Sequence, residues 1–363
     1  MSRAWTWFDM HGVVRLKVAT GCPAERQLRE MFKPFLVEAL TDGAEADIVV
    51  TEDAPAALVH PSHGEHAYRF TDDAVEIAAH HVGVVAGDKT FWVYGRGELL
   101  TTVLPLVDRV SVGRGAAMVH AATVAIGDAG VFLPAWGGVG KTSTVAKLTA
   151  RPDGRFMGDD WAWVNRDGGL LGYAKPMFLK PHHRPIYPQA FETRKKPLAP
   201  SRMTDTVARL ATAVHPVIIR YPRIADVTRR WSPEHMMMHP DELFAPGKIA
   251  TQAQLRLACF VERFDGDQPE LKERSRDWMV TRVIGNFHSE LPKTSRDVVT
   301  ALGATGLVGL EHCFSDKSSV LADALAEVPT YSLRVPAAMS ADEASDTVCR
   351  HVLELLPGGS VSQ

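Results

Sequence analysis

The chain has little of what marks a secreted, membrane-embedded or nucleic-acid-binding protein. Its four cysteines, Cys22, Cys259, Cys313 and Cys349, stand far apart, which leaves no zinc ribbon, no paired redox motif and no disulfide framework for 363 residues. No apolar run approaches the roughly 18–20 residues that span a bilayer, so no membrane partner is expected. The opening Met1-Ser2-Arg3-Ala4-Trp5-Thr6-Trp7 has no basic segment followed by an apolar stretch. A signal peptide is therefore not expected, and a cytoplasmic setting is. The net charge of −3 lacks the basic excess that neutralises phosphate backbones, so no nucleic-acid partner is expected. No repeat of about 20–50 residues and no low-complexity segment is found. What is present is ordinary for a soluble globular protein, with 45% hydrophobic and 23% charged residues. The length suits one large unit or two modest ones.

Periodicity divides the chain near residue 112. Residues 1–112 read as a small N-terminal α/β unit. Val13 to Ala19 is strand-like, and Pro23 to Leu40 carries Leu28, Met31, Phe32, Phe35 and Leu36 at helical spacing. Ile48 to Thr51 is a short apolar strand. Ala67 to Phe70 and Ala74 to Ile77 flank the turn Thr71-Asp72-Asp73, and Thr90 to Tyr94 is another strand. Glu98 to Val112 reads as a helix interrupted or kinked near Pro105. Residues 113–363 read as a second domain. Ala117 to Ile126 and Val131 to Pro134 are strands around Gly127-Asp128-Ala129-Gly130, and Thr142 to Thr149 begins a helix. Trp161 to Val164, Leu255 to Phe264 and Tyr331 to Val335 read as strands. Trp278 to Leu291 and Ala341 to Leu356 read as helices.

The chemistry-bearing segment is Ala135-Trp136-Gly137-Gly138-Val139-Gly140-Lys141-Thr142, followed by Ser143. It matches the phosphate-loop pattern G-x-x-x-x-G-K-[ST] except that Ala135 stands at the first glycine. Glycines let successive backbone N–H groups turn toward phosphate oxygens, and the helix that follows adds its N-terminal partial charge. Lys141 would reach the β- and γ-phosphates and Thr142 would ligate Mg²⁺. The other reading is a glycine-rich turn that happens to end in Lys-Thr. Asp159-Asp160 follow eighteen and nineteen residues after Lys141. One carboxylate could hold the metal and the other could accept a hydroxyl proton, or the pair is a solvated turn.

The run Ala174-Lys175-Pro176-Met177-Phe178-Leu179-Lys180-Pro181-His182-His183-Arg184 gathers cations. Lys180 and Arg184 could clamp an anionic substrate, or the run is an exposed basic loop. His60, His63 and His66 have metal-like spacing in a Pro/Gly loop and read as a solvated turn. His235 and His239 bracket Met236-Met237-Met238 on a possible short helix capped by Ser232, read as a Met-rich core or interface edge. His80-His81 and Arg194-Lys195-Lys196 read as solvated surface. No nucleophile elbow of a serine hydrolase is present.

Val119-His120-Ala121-Ala122-Thr123-Val124-Ala125-Ile126, the loop Ala135 to Thr142 and Gly158-Asp159-Asp160, in this order and spacing, resemble the HPr kinase/phosphorylase superfamily. More closely they are similar to HPr-kinase-like proteins of biosynthetic gene clusters. The resemblance spans roughly residues 98 to 165. It implies an α/β fold with a P-loop core of the HPr-kinase/PEP-carboxykinase type. It also implies ATP- and Mg²⁺-dependent transfer of the γ-phosphoryl group to a hydroxyl. By position, Asp159 matches the catalytic base, Asp160 the metal-side carboxylate beside Thr142, and His120 the histidine near the phosphates. Without the resemblance, His120 reads as a satisfied histidine at a strand edge. Ala135, Gly137 and Thr142 depart from the family's Gly-x-Ser-Gly-x-Gly-Lys-Ser, and the glutamate-arginine-glycine signature is missing, which points away from a true HPr kinase and from phosphorolysis.

The expectation is thus a kinase acting on a hydroxyl-bearing small molecule, or on a serine or threonine of a peptide or protein. The backbone of Gly137, Gly138, Val139, Gly140, Lys141, Thr142 and Ser143 would hold ATP, and a homo-oligomer is compatible with the family. Two other classes stay open. One is an ATPase switch of the partition type, whose loop carries a lysine where this chain has Trp136. The other is a nucleotide-binding module without catalysis.

Overall fold

In the computed structural model, which describes residues 4–40, 45–54, 68–179, 183–192 and 236–356, the chain is mixed α/β. The N-terminal part forms an eight-stranded mixed sheet. Its strands are β1 (Trp5–Met10), β2 (Val14–Ala19), β3 (Leu36–Val37), β4 (Ile48–Thr51), β5 (Tyr68–Phe70), β6 (Ala74–Ile77), β7 (Val82–Ala86) and β8 (Phe91–Gly95). They lie in the order β3-β1-β2-β4-β8-β7-β6-β5. Helix α1 (Glu25–Met31) follows β2. Alternation along β1 and β2 sends Phe8, Met10, Val14, Leu16 and Val18 into the core. Helix α2 (Leu99–Gly113) buries Leu99, Val103, Leu106 and Val107 in that same core.

The second large sheet contains β9 (Ala116–Ile126), β10 (Ala129–Pro134), β11 (Gly154–Gly158), β12 (Trp161–Asn165) and β13 (Gly169–Gly172). Helix α3 (Lys141–Ala150) lies between β10 and β11. Contacts divide the chain into two compact units, Met1–Lys175 with Pro246–Gln363, and Pro176–Ala245. The smaller unit pairs β14 (Met177–Leu179) with β15 (Met236–Met238) and holds the short helices α4 (Pro188–Glu192) and α5 (Pro240–Leu243). The larger unit then adds β16 (Gln252–Phe264), β17 (Glu270–Glu273), α6 (Arg276–Glu290), α7 (Lys293–Ala304), α8 (Ser315–Ala324), β18 (Thr330–Pro336) and α9 (Ala341–Leu355). The sheet order is β10-β9-β12-β13-β16-β18-β17, with β11 on β9 and a further parallel pairing of β10 with β16. Strand β9 is buried along its whole length and serves as the central ruler.

The boundary read near residue 112 falls at the end of α2, inside the larger unit, and one core joins both sides of it. Phe8, Leu16 and Val103 share that core with Met118, Trp163, Tyr173 and Phe287. Between α2 and α8, Asp108 and Lys317 form a buried ion pair at 2.8 Å, and the Lys317 ammonium lies over the Phe287 ring.

Several local readings change. The helix expected over Pro23 to Leu40 ends at Met31 and gives way to a 3-10 turn over Lys33–Phe35. Pro34 lacks the N–H that would continue the helix and disfavours the α conformation before it. Pro105 does not break α2, which runs unbroken from Leu99 to Gly113. The expected short helix around Met236-Met237-Met238 is strand β15, and His239 instead caps α5. Ala67, Lys180, His182, Ser232, His235, His60, His63, His66 and Arg194-Lys195-Lys196 lie outside the described residues.

Candidate functional site

The site forms where three consecutive stretches meet β9. Antiparallel β10 runs along one edge of β9 and ends at Pro134. The chain then bends through Ala135–Gly140 into α3. Ala135 bridges to Val261 of β16 and is fully buried. No non-glycine residue there has a positive φ, so the position needs no glycine and alanine serves. Gly138 and Gly140 do take the left-handed region, at φ +82° and +93°. A Cβ on Gly137 or Gly138 would meet nothing within 4 Å, so the loop's outer face is open and bare of side chains. Val139 is buried and anchors the loop's inner side.

Along the other edge of β9 run β11 and then β12, both antiparallel to it. The register slips between Phe156 and Gly158, leaving Met157 as an extra residue, a bulge of the kind that re-aims a strand. Asp159 and Asp160 follow at once, opposite Ala122 and Ala121, and the Ala121 N–H donates to the Asp160 carbonyl at 2.9 Å. The Thr142 hydroxyl, in the first turn of α3, donates to Asp159 Oδ2 at 2.7 Å. Asp160 Oδ2 is 2.6 Å from Lys175 Nζ, and its Oδ1 is 3.7 Å from His120 Nε2. Lys141 turns its ammonium back onto the Ala135 carbonyl at 2.9 Å. Six residues read from the sequence or standing beside those that were, Thr142, Lys141, Asp159, Asp160, His120 and Lys175, therefore share one electrostatic site.

The two aspartates ionise differently. Burial pushes the Asp159 carboxyl up to about 6, and the neighbouring Asp160 charge adds to it against the pull of Thr142, Lys141 and Lys175. Burial also opposes ionisation of Asp160. There the Lys175 ammonium at 2.6 Å, with His120 nearby, outweighs it and holds the carboxyl well below the ordinary range. Burial lowers His120 and Lys141; Asp160 and Glu290 pull both the other way, and Asp159 does so for Lys141.

The pairing departs from the expected one in a specific way. Thr142 is on Asp159, whereas Asp160 faces Lys175 and His120. Arg184 is exposed in the smaller unit, its guanidinium over Phe191 at 5.9 Å. Sequence reasoning passed over Lys175 as one cation in a run. Asn286 of α6 was missed too, although it interrupts the buried stripe Val283, Ile284 and Phe287. A polar residue on such a stripe is a legible signal, because a buried amide must find partners.

Among the described residues no group of three or more His, Cys, Asp or Glu could hold a metal by itself. That excludes an all-protein cage there. It fits Mg²⁺, which takes one or two protein oxygens and completes its shell with water and phosphate. Asp159 Oδ1 is buried with no hydrogen-bond partner, beside the Thr142 hydroxyl and the open loop, so the residues present fit a magnesium nucleotide. No family model matches the chain, and no curated protein is significantly similar to it. No helix among the described residues is long and apolar enough to cross a membrane.

Proposed function

We propose that this protein is a kinase of the HPr-kinase-like type, with a P-loop core, transferring the γ-phosphoryl group of ATP to a hydroxyl acceptor with Mg²⁺. One observation carries the reading. Two adjacent carboxylates lie beside the Gly137–Thr142 loop in unlike surroundings, Asp159 buried against the Thr142 hydroxyl and Asp160 against the Lys175 ammonium, which is how acid and base roles are separated in one site. Asp159, near 6, is matched to take a hydroxyl proton at neutral pH and give it up again. Asp160 stays charged and fixes the cation Lys175 beside the reacting centre.

The bound magnesium nucleotide supplies the phosphoryl group and neutralises its charge. Backbone N–H groups of Gly137–Thr142 orient the phosphates, and Lys141, released from the Ala135 carbonyl, offsets charge developing on the transferring group. Thr142 and Asp160 would hold the metal, and Asp159 Oδ1, which has no partner, would be left for the proton. As the acceptor oxygen bonded to phosphorus, its proton would pass to Asp159 Oδ1 and the bridging oxygen would leave with ADP. The acceptor is a hydroxyl-bearing small molecule or a serine or threonine of a peptide or protein.

The test is mass spectrometry of candidate acceptors incubated with ATP and Mg²⁺, read beside ADP release. Parent protein should phosphorylate an acceptor in step with ADP, and Lys141→Ala and Asp159→Asn should each abolish it. Transfer undiminished by both substitutions would sink the assignment. ADP release without any phosphorylated acceptor would favour the switch.

A further inference from the structure

We infer that Asn286 is a positioning residue that locks His120 in one tautomer and thereby turns its N–H toward Asp160. Asn286 is fully buried on α6, and its Nδ2 donates to the His120 carbonyl at 2.9 Å. A carbonyl oxygen only accepts, so the amide must turn its NH₂ toward His120. The same Nδ2 lies 3.3 Å from His120 Nδ1. Facing a donor, Nδ1 must be the bare nitrogen, and the ring's proton sits on Nε2. That nitrogen is the one 3.7 Å from Asp160 Oδ1. Trp161 packs edge-on to the imidazole at 5.3 Å and Phe287 edge-on to Trp161 at 5.4 Å, so the ring has little room to turn over.

Asp160 thus has Lys175 at 2.6 Å on one oxygen and the His120 N–H facing the other at 3.7 Å, an electrostatic contact longer than a hydrogen bond. Glu290, one turn after Asn286 on α6, adds a negative charge acting on His120 and Lys141. His120 thereby turns a proton-bearing nitrogen toward the carboxylate, and that nitrogen does not serve as the proton acceptor. This assignment rests on the kinase reading for its consequence in catalysis, but not for the tautomer itself.

The experiment uses the full chain without nucleotide, with ¹⁵N-labelled histidine, above neutral pH. Long-range ¹H–¹⁵N spectra identify the tautomer, and the His120→Gln variant assigns the signal. The parent should show a single Nε2–H tautomer for His120. An Nδ1–H tautomer, or a mixture, in the parent would overturn the inference whether or not the protein is a kinase. Asn286→Leu, similar in volume, should convert the signal to a mixture and lower kcat about tenfold with KM for ATP unchanged. If that variant does not fold, the parent spectrum alone decides. A parent with the expected tautomer but no phosphoryl transfer would leave the inference standing and sink the kinase reading.

Discussion

Asp159→Asn should make the protein more stable at neutral pH while removing its activity. A buried carboxyl raised from 3.8 to about 6 is penalised, when ionised, by about 3 kcal/mol. The sign follows from linkage. The folded value lies above the unfolded one, so the group's contribution is fully favourable below the unfolded value and is lost as pH rises through about 6. Parent protein at about pH 8 therefore carries the whole penalty, whereas at about pH 5 it carries roughly half. Asparagine keeps the shape and an oxygen for the Thr142 hydroxyl, and it has no charge to bury. Its NH₂ would stand where Asp159 Oδ1 now has no partner, which takes back about 1 kcal/mol without altering the pH dependence. The variant should thus exceed the parent by about 2 kcal/mol at about pH 8, and the gap should shrink by roughly 1.4 kcal/mol at about pH 5. Urea unfolding of both proteins across that range, with linear extrapolation, measures it. A gap that stays flat with pH, or widens toward acid, refutes the reasoning.

Lys175→Met removes the cation on Asp160. Asp160 lies low in the folded protein, so its pairing stabilises above the ordinary carboxylate range and fades as pH falls. Because the Asp160 side chain is 36% exposed, the loss should be about 1–2 kcal/mol at neutral pH, closing toward acid, by the same unfolding assay. Lys317→Met alone leaves Asp108 buried without its partner and should cost about 3–5 kcal/mol in thermal or urea unfolding. The double variant Asp108→Leu/Lys317→Met should regain most of that. Gly140→Ala forces a side chain into φ +93° and sets its Cβ 3.3 Å from the Ala341 carbonyl at the start of α9. The strain, of order 1–2 kcal/mol, should reshape the loop and weaken ATP binding about tenfold in calorimetry, with the fold retained.

Much of this site was legible because its parts are local in sequence. Strand, loop and helix around Gly137–Thr142 follow from alternation and glycine placement, and β10 and α3 lie within a few residues of the expected bounds. Asp159-Asp160 could be read as carboxylates near a loop. Which of them meets Thr142 could not, because that depends on the Met157 bulge, and a bulge leaves no trace in the apolar pattern Phe156-Met157. Lys175 and Asn286 reach the site across long separations, through β13 and α6, where spacing rules have no purchase. Strand β1 was missed because its outward positions carry Trp5 and Trp7, whose bulk hides an alternation that burial makes plain. The α1 helix was read too long because Phe32 and Phe35 keep the helical period in a segment that Pro34 has already ended.

The surplus residue at Met157 also sets a parity. From Gly158 onward each residue of this edge faces β9 in unbroken step, through the aspartates to Asn165. Excising Met157 itself would leave Gly158 opposite Thr123 and everything downstream in step, only without the bulge. Deleting one residue between Gly158 and Trp161 would instead slide Trp161 to Asn165 one notch along β9, and Trp163 and Val164 would exchange sides of the sheet.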